Sequence, residues 1–173
     1  MRALEKIQQE HKTCHTVIVG GDGVSYGSAP KDAPNWREKM LREVKLDPTR
    51  THFLGKVPYE VYKKVLQVSA AHVYLTYPFV LSWSMLEAMA TGCLVIGSDT
   101  EPVREILSES GIGLLTDPLN SYKVTDEVIN ALDRQIDFLG VRAFANRKIR
   151  RLFCLDVGVK QYSKLVSQYM FGE

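Results

Sequence analysis

A chain of 173 residues, 45% of them hydrophobic, has the size and apolar content of one ordinary globular domain. Its 22 Lys and Arg against 20 Asp and Glu leave a net charge of only +2, which excludes the strongly basic face that nucleic-acid binding asks for. Three cysteines (Cys14, Cys93 and Cys154), far apart and odd in number, argue against a disulfide framework and for a reducing, cytoplasmic compartment. No signal peptide and no run of the ~20 apolar residues that span a bilayer is visible.

In chain order, residues 2–11 read as a short helix with Leu4 and Ile7 inward. Residues 16–19 are β-branched and bounded by Gly20-Gly21, as a strand is. The loop that follows, Gly20-Gly21-Asp22-Gly23 and on to Pro34, is rich in glycine. A phosphate-facing role and a plain turn both stay open, because neither GxGxxG nor a Lys-Ser/Thr pair follows. Residues 36–44 have helical spacing, and residues 51–55 form a second strand. Pro58 suits the first turn of a helix with Val61, Tyr62, Val65 and Leu66 on its inner face, ending near Ser69. Residues 70–75 are a third extended run, broken at Tyr77-Pro78 because proline cannot donate to a ladder.

The stretch from Tyr77 to Glu105 organises the rest. Ser82 and Ser84 are both N-cap types, and Ser84-x-x-Glu87 fits a capping box. A helix is therefore expected from about Ser82–Ser84 to Thr91, with Gly92 just past its end. Residues 93–97 then read as a buried parallel strand. The first turn of a helix leaves N–H groups unpaired at the positive end of its dipole, and after a strand and a loop this is where α/β folds hold anions. Glu87, one turn in, is either the capping-box residue or a carboxylate that accepts from the hydroxyls of a ribose. Phe79, Trp83 and Met85 read as core or cleft wall rather than a base-stacking platform, with Trp83 the most exposed of the three.

Beyond it, residues 103–108 read as a short helix, residues 111–115 as an edge strand, and Asp117-Pro118 as a turn. Ser121 is expected to cap a helix whose apolar positions Val124, Val128, Leu132 and Ile136 recur every four residues; Gly140 should break it. The basic run with Arg142, Arg147, Lys148, Arg150 and Arg151 reads as a solvated helix face, with contact to an anionic lipid surface as a second reading. Asp156 can cap a final helix with Val159, Tyr162, Val166 and Tyr169 on one face. Glu105 reads as a surface partner of Arg104 or Arg42. His11, Cys14 and His15 lack a second ligand pair at metal spacing, so no metal is expected, and His52 and His72 read as core histidines. Strands alternating with helices predict an α/β fold: a Rossmann-like, doubly wound parallel sheet of about five to six strands, in one domain over residues 1–173.

The run Ser84-Met85-Leu86-Glu87-Ala88-Met89-Ala90-Thr91-Gly92-Cys93-Leu94-Val95-Ile96 resembles the nucleotide-sugar-binding half of retaining, two-domain (GT-B) glycosyltransferases of group 1, or family 4. Their motif is Glu-x7-Glu, the second Glu lying in a Leu-Glu-Ala-Met-Ala-x-Gly helix. The resemblance covers most of residues 14–170: Gly21-Asp22-Gly23 matches a Gly-x-Gly that closes a strand, residues 51–55 a Val-x-Phe-x-Gly segment, and residues 100–105 the segment after the next strand. It implies that Glu87 binds the ribose and that amides near Ser82, Trp83 and Ser84 face the diphosphate. It places Gly55, Lys56 and Val57 near the nucleobase and Gly21 and Gly23 on the ligand side. The position of the first motif Glu, close to the donor sugar, is occupied here by Phe79.

The implied partner is a small-molecule nucleoside-diphosphate sugar, with no other cofactor. The implied whole enzyme passes a glycosyl group to an acceptor hydroxyl in polysaccharide or glycolipid synthesis. It would have an N-terminal acceptor domain, and a first donor-domain strand bearing an Arg and a Lys, both outside this sequence. Alone, the chain is then expected to bind nucleotide weakly and transfer nothing. The rival expectation is a non-catalytic binding or scaffolding remnant of the same fold.

Overall fold

A computed structural model describes residues 1–24, 27–76, 80–108 and 111–171. Its centre is β4 (Leu94–Ser98), buried at every position. A run of apolar residues without polar alternation suits a strand covered on both faces. β3 (Ala71–Tyr74) and β5 (Leu114–Thr116) flank it, both parallel, with Ala71 opposite Leu94 and Ile96 opposite Leu114. One face carries α4 (Trp83–Ala90), α5 (Glu101–Leu107) and α7 (Leu139–Leu152), whose Met85, Met89, Val103, Leu107, Ala145 and Ile149 close over Val95. The other face carries α1 (Arg2–Glu10) and α6 (Ser121–Asp133), whose Ala3, Ile7, Val124, Val128 and Ala131 close over Leu94 and Ile96.

α5 lies hard against the sheet, and two glycines permit it. A Cβ at Gly97 would sit 2.7 Å from Val103 Cγ1, and one at Gly113 would sit 2.7 Å from Leu107 Cδ2. A side chain at Gly97 of β4, or at Gly113 just before β5, would force α5 or, at Gly113, the Val95 carbonyl 2.9 Å away to shift.

A second parallel sheet is formed by β1 (Thr16–Val19) and β2 (Thr51–Gly55), with a register shift between Ile18 and Val19. α2 (Trp36–Glu43) and α3 (Tyr59–Val68) connect and follow these strands; Leu66 and Tyr62 of α3 join the core on the α4 side. The parallel α/β arrangement is the one expected, with five strands among the described residues, at the lower end of the expected number. Among the described residues, however, the strands fall into two groups, β1-β2 and β3-β4-β5, with no ladder between β1 and β3.

Several local expectations need correction. Asn120, not Ser121, caps α6, its Oδ1 accepting from the Tyr122 and Lys123 amides. α6 ends at Asp133, so Ile136 lies outside it and is exposed. Gly140 is not a breaker but the second residue of α7. α5 starts at Glu101 because Pro102 fits its first turn, where no amide donor is needed. α8 (Leu155–Phe171) holds Asp156 inside its first turn rather than before it. Its Val159, Tyr162, Val166 and Tyr169 are exposed, so the periodic apolar face is not buried in this chain. His72 is half-buried, with its Nε2 sealed from solvent and without a hydrogen-bond partner among the described residues; desolvation lowers its pKa and so favours the neutral ring.

Candidate functional site

α4 begins where Tyr74, at the end of β3, turns its hydroxyl back to accept from the Ser82 amide at 3.0 Å. Ser82 is the N-cap, with extended backbone; its Oγ accepts from the Ser84 amide at 3.3 Å, and the two serine hydroxyls lie 3.2 Å apart. Ser82 therefore caps the helix, not Ser84. The Trp83 N–H, in the first turn, has no partner among the described residues, and the Trp83 side chain is 73% exposed. Among the described residues, one polarised amide thus remains open at the positive end of α4. At the other end, Arg142 Nε donates to the Gly92 carbonyl at 2.6 Å, a cation placed where the dipole is negative. Arg142 consequently belongs to the α4–α7 packing and not to a solvated basic face.

Glu87 closes no capping box. Its Oε1 instead accepts from the Tyr59 hydroxyl at 2.9 Å. Tyr59 is the first residue of α3, and its bond to Glu87 brings the loop Gly55, Lys56, Val57 and Pro58 beside α4. Gly55 turns that loop with a φ of +65°, open to glycine and strained for other residues. Lys56 then runs across Gly21, where an added Cβ would sit 3.0 Å from its Cε. Contacts therefore link Glu87, Tyr59, the residue 55–58 loop and Gly21 along the ends of β1, β2 and β3, the edge where open α/β sheets bind ligands. Gly23 has open space around it, and Asp22 pairs with Arg37 at 2.9 Å. Phe79 lies outside the described residues.

Two tyrosines were not singled out as site residues by sequence reasoning. Tyr59 and Tyr62 stand three apart at the start of α3 and so share a helix face; their rings are 6.1 Å apart. That spacing was a visible signal, but only the fold shows that the face meets Glu87. Tyr62 Oη is buried with no partner among the described residues, and burial, then the Glu87 carboxylate, push its pKa up to about 12. The bond to Glu87 likewise raises Tyr59 above the usual phenol value.

The remaining expected residues scatter. Glu105 is exposed, while Arg104 pairs with Asp99 and Arg42 donates to the Asp32 carbonyl. His11, Cys14 and His15 take separate partners. His11 meets Asp133 at 3.3 Å, and Cys14 Sγ approaches the His15 carbonyl at 3.8 Å. His15 Nδ1 and His52 Nε2 are 2.9 Å apart in an exposed pair with stacked rings. Among the described residues, no helix is long and apolar enough to cross a membrane.

Comparison with known proteins bears on the fold. The chain is similar in fold to a sucrose-phosphate synthase from Thermosynechococcus elongatus (TM-score 0.76, 21% identity, 99% of this chain and 42% of that one). It is similar to HepE of Anabaena, solved in complex with UDP-glucose (TM-score 0.80, 15% identity, 97% of this chain and 45% of that one). A glycosyltransferase from Rickettsia africae gives a TM-score of 0.75 at 12% identity, over 99% of this chain and 44% of that one. At such identities the likeness is one of fold, and the chain spans less than half the length of each. No curated protein matches in sequence. The family of glycosyl transferases group 1 matches residues 1–146, most of the sequence, and the chain belongs to that family.

Proposed function

We propose that this chain is the donor-binding half of a group 1 glycosyltransferase and holds a nucleoside-diphosphate sugar at the ends of β1, β2 and β3. The observation that carries the reading is the start of α4: a Trp83 amide without a partner among the described residues, with the Glu87 carboxylate one turn further on. The helix terminus and Lys56 would offset the charge of the leaving diphosphate, and Glu87 would accept from the ribose. In this scheme Gly55, Lys56 and Val57 border the nucleobase, and Gly21 and Gly23 stay small so that the ligand and Lys56 can approach the backbone. No metal or second cofactor is needed to neutralise the diphosphate. That a fold relative was solved with UDP-glucose supports this donor class.

The whole protein would pass the sugar to an acceptor hydroxyl with retention, in polysaccharide or glycolipid synthesis, using a companion domain beyond these residues. The divided sheet supports that completion. Val17 of β1 and Val73 of β3 are each 40% exposed, and among the described residues no ladder joins the two strands. A strand laid between them and running on into α1 would complete a right-handed βαβ unit. Free thiols at Cys14, Cys93 and Cys154 suit a cytoplasmic setting, and the exposed Arg147, Arg150 and Arg151 suit contact with its membrane surface. A second reading, binding without transfer, is favoured by Phe79 standing where the family carries a carboxylate.

The test is calorimetric titration of nucleoside diphosphates into the chain and into Glu87→Ala. Affinity should weaken by about 1–3 kcal/mol, the range for a lost charged hydrogen bond; unchanged affinity rejects the ribose role of Glu87.

A further inference from the structure

We propose that Tyr59 is a positioning residue that fixes the Glu87 carboxylate for a 1,2-diol, and so sets a preference for ribonucleotides over 2′-deoxyribonucleotides; this rests on the ribose reading of Glu87 given above. A carboxylate on a partly exposed glutamate ordinarily rotates freely, and ordering it on binding costs affinity. Here the Tyr59 hydroxyl holds Oε1 at 2.9 Å, across from the helix that carries Glu87. The other oxygen and the outward lone pairs remain for incoming hydroxyls, since a carboxylate offers about four acceptor sites.

The clamp is itself supported. Lys63 Nζ lies 5.2 Å from the centre of the Tyr59 ring and pairs with Glu60 at 3.0 Å, which holds the phenol in place on a surface where it is otherwise open. Tyr62 brings a second phenol toward the same carboxylate, buried and without a partner among the described residues. Both hydroxyls stay protonated well above neutral pH and so remain donors throughout the working range.

Tyr59→Phe removes the hydroxyl and keeps the ring, so the fold and the Lys63 contact should survive, as a melting curve will confirm. UDP, ADP and GDP are titrated by NMR into the 173-residue chain, and the tightest binder is compared with its 2′-deoxy counterpart. The expected wild-type preference for the ribose form is about tenfold, as one charged hydrogen bond provides. Glu87→Ala should abolish it. Tyr59→Phe should reduce it by about three- to fivefold, weakening the ribose form more than the 2′-deoxy form, which keeps only its 3′-hydroxyl on Glu87. If Tyr59→Phe weakens both forms equally, or leaves the ratio intact while Glu87→Ala abolishes it, the positioning role is wrong and the ribose reading stands. If the wild type shows no preference, or Glu87→Ala leaves it in place, the ribose reading falls and the role of Tyr59 falls with it.

Discussion

The three-stranded and two-stranded parts of the sheet are held to the molecule by different forces. Around β4 the contacts are apolar on both faces, with Met85, Val95, Ile96 and Val103 sealed from solvent. In β1 and β2 only Thr51 is buried, and Val17 and Leu54 face water. That part is tied down by polar contacts, many of them to α1. Buried Gln8 donates to Thr51 Oγ1 at 2.8 Å and accepts from the Asp47 amide at 2.9 Å. Arg50 donates to the carbonyls of Gln8 and His11, and Arg2 pairs with Glu43. The division of labour suits the proposed site. A rigid apolar half presents α4 and Glu87, while a looser polar half presents the glycine loop and Lys56, the kind of adjustable segment on which binding groups are commonly carried.

The sharpest way to break this comparison is to remove one apolar side chain from each part. Ile96→Ala should destabilise the fold by about 2–5 kcal/mol, because a cavity opens in a core packed on both faces. Leu54→Ala should cost less than about 1 kcal/mol, because the side chain is already half in water. Urea unfolding followed by circular dichroism measures both, and equal losses would erase the distinction.

A smaller effect is expected at the polar tie. Gln8→Ala leaves the Thr51 hydroxyl and the Asp47 amide without their partner, a loss of about 1–3 kcal/mol. Hydrogen exchange should quicken in β2 and remain slow in β4; uniform quickening would mean that the two parts open as one unit.

The smallest effect is one of pH. Hydrogen bonds from Thr49, then from Arg50, hold the Asp47 carboxyl at about 2, below its usual 3.8. A group whose pKa is depressed on folding contributes stability that is complete above the unfolded value and lost as pH falls through the folded one. Between about pH 4 and pH 2, then, the two-stranded part should loosen ahead of the other. Amide exchange in β1 and β2 across that window reports it, and Asp47→Asn should remove the dependence.

Much of this was legible in the sequence where a local rule decides. The uninterrupted apolar run before Gly97 marks the buried strand, and Gly92, with φ of +84°, ends α4 where a residue free to turn left-handed is needed. What could not be read depends on distant partners. Ser84 and Glu87 satisfy the capping-box spacing, yet a tyrosine 28 residues earlier in the chain takes the carboxylate instead. Gly140 looks like a break by propensity, but at the second position of a helix its cost is small and the packing of Ala145 and Ile149 carries α7 past it. The apolar stripe of α8 is periodic in the sequence, and periodicity alone does not say what covers it.

The central claim is that a nucleoside diphosphate sits where the two parts of the sheet meet, over the start of α4. Titration of UDP into the isotopically labelled chain, read as amide shift changes, tests it most directly. The largest changes should fall on Ser82 to Glu87, on Gly55 to Tyr59 and on Gly21 to Gly23. Changes confined to α8 or to the polar tie around Gln8, with the Trp83 amide unmoved at saturation, would contradict it.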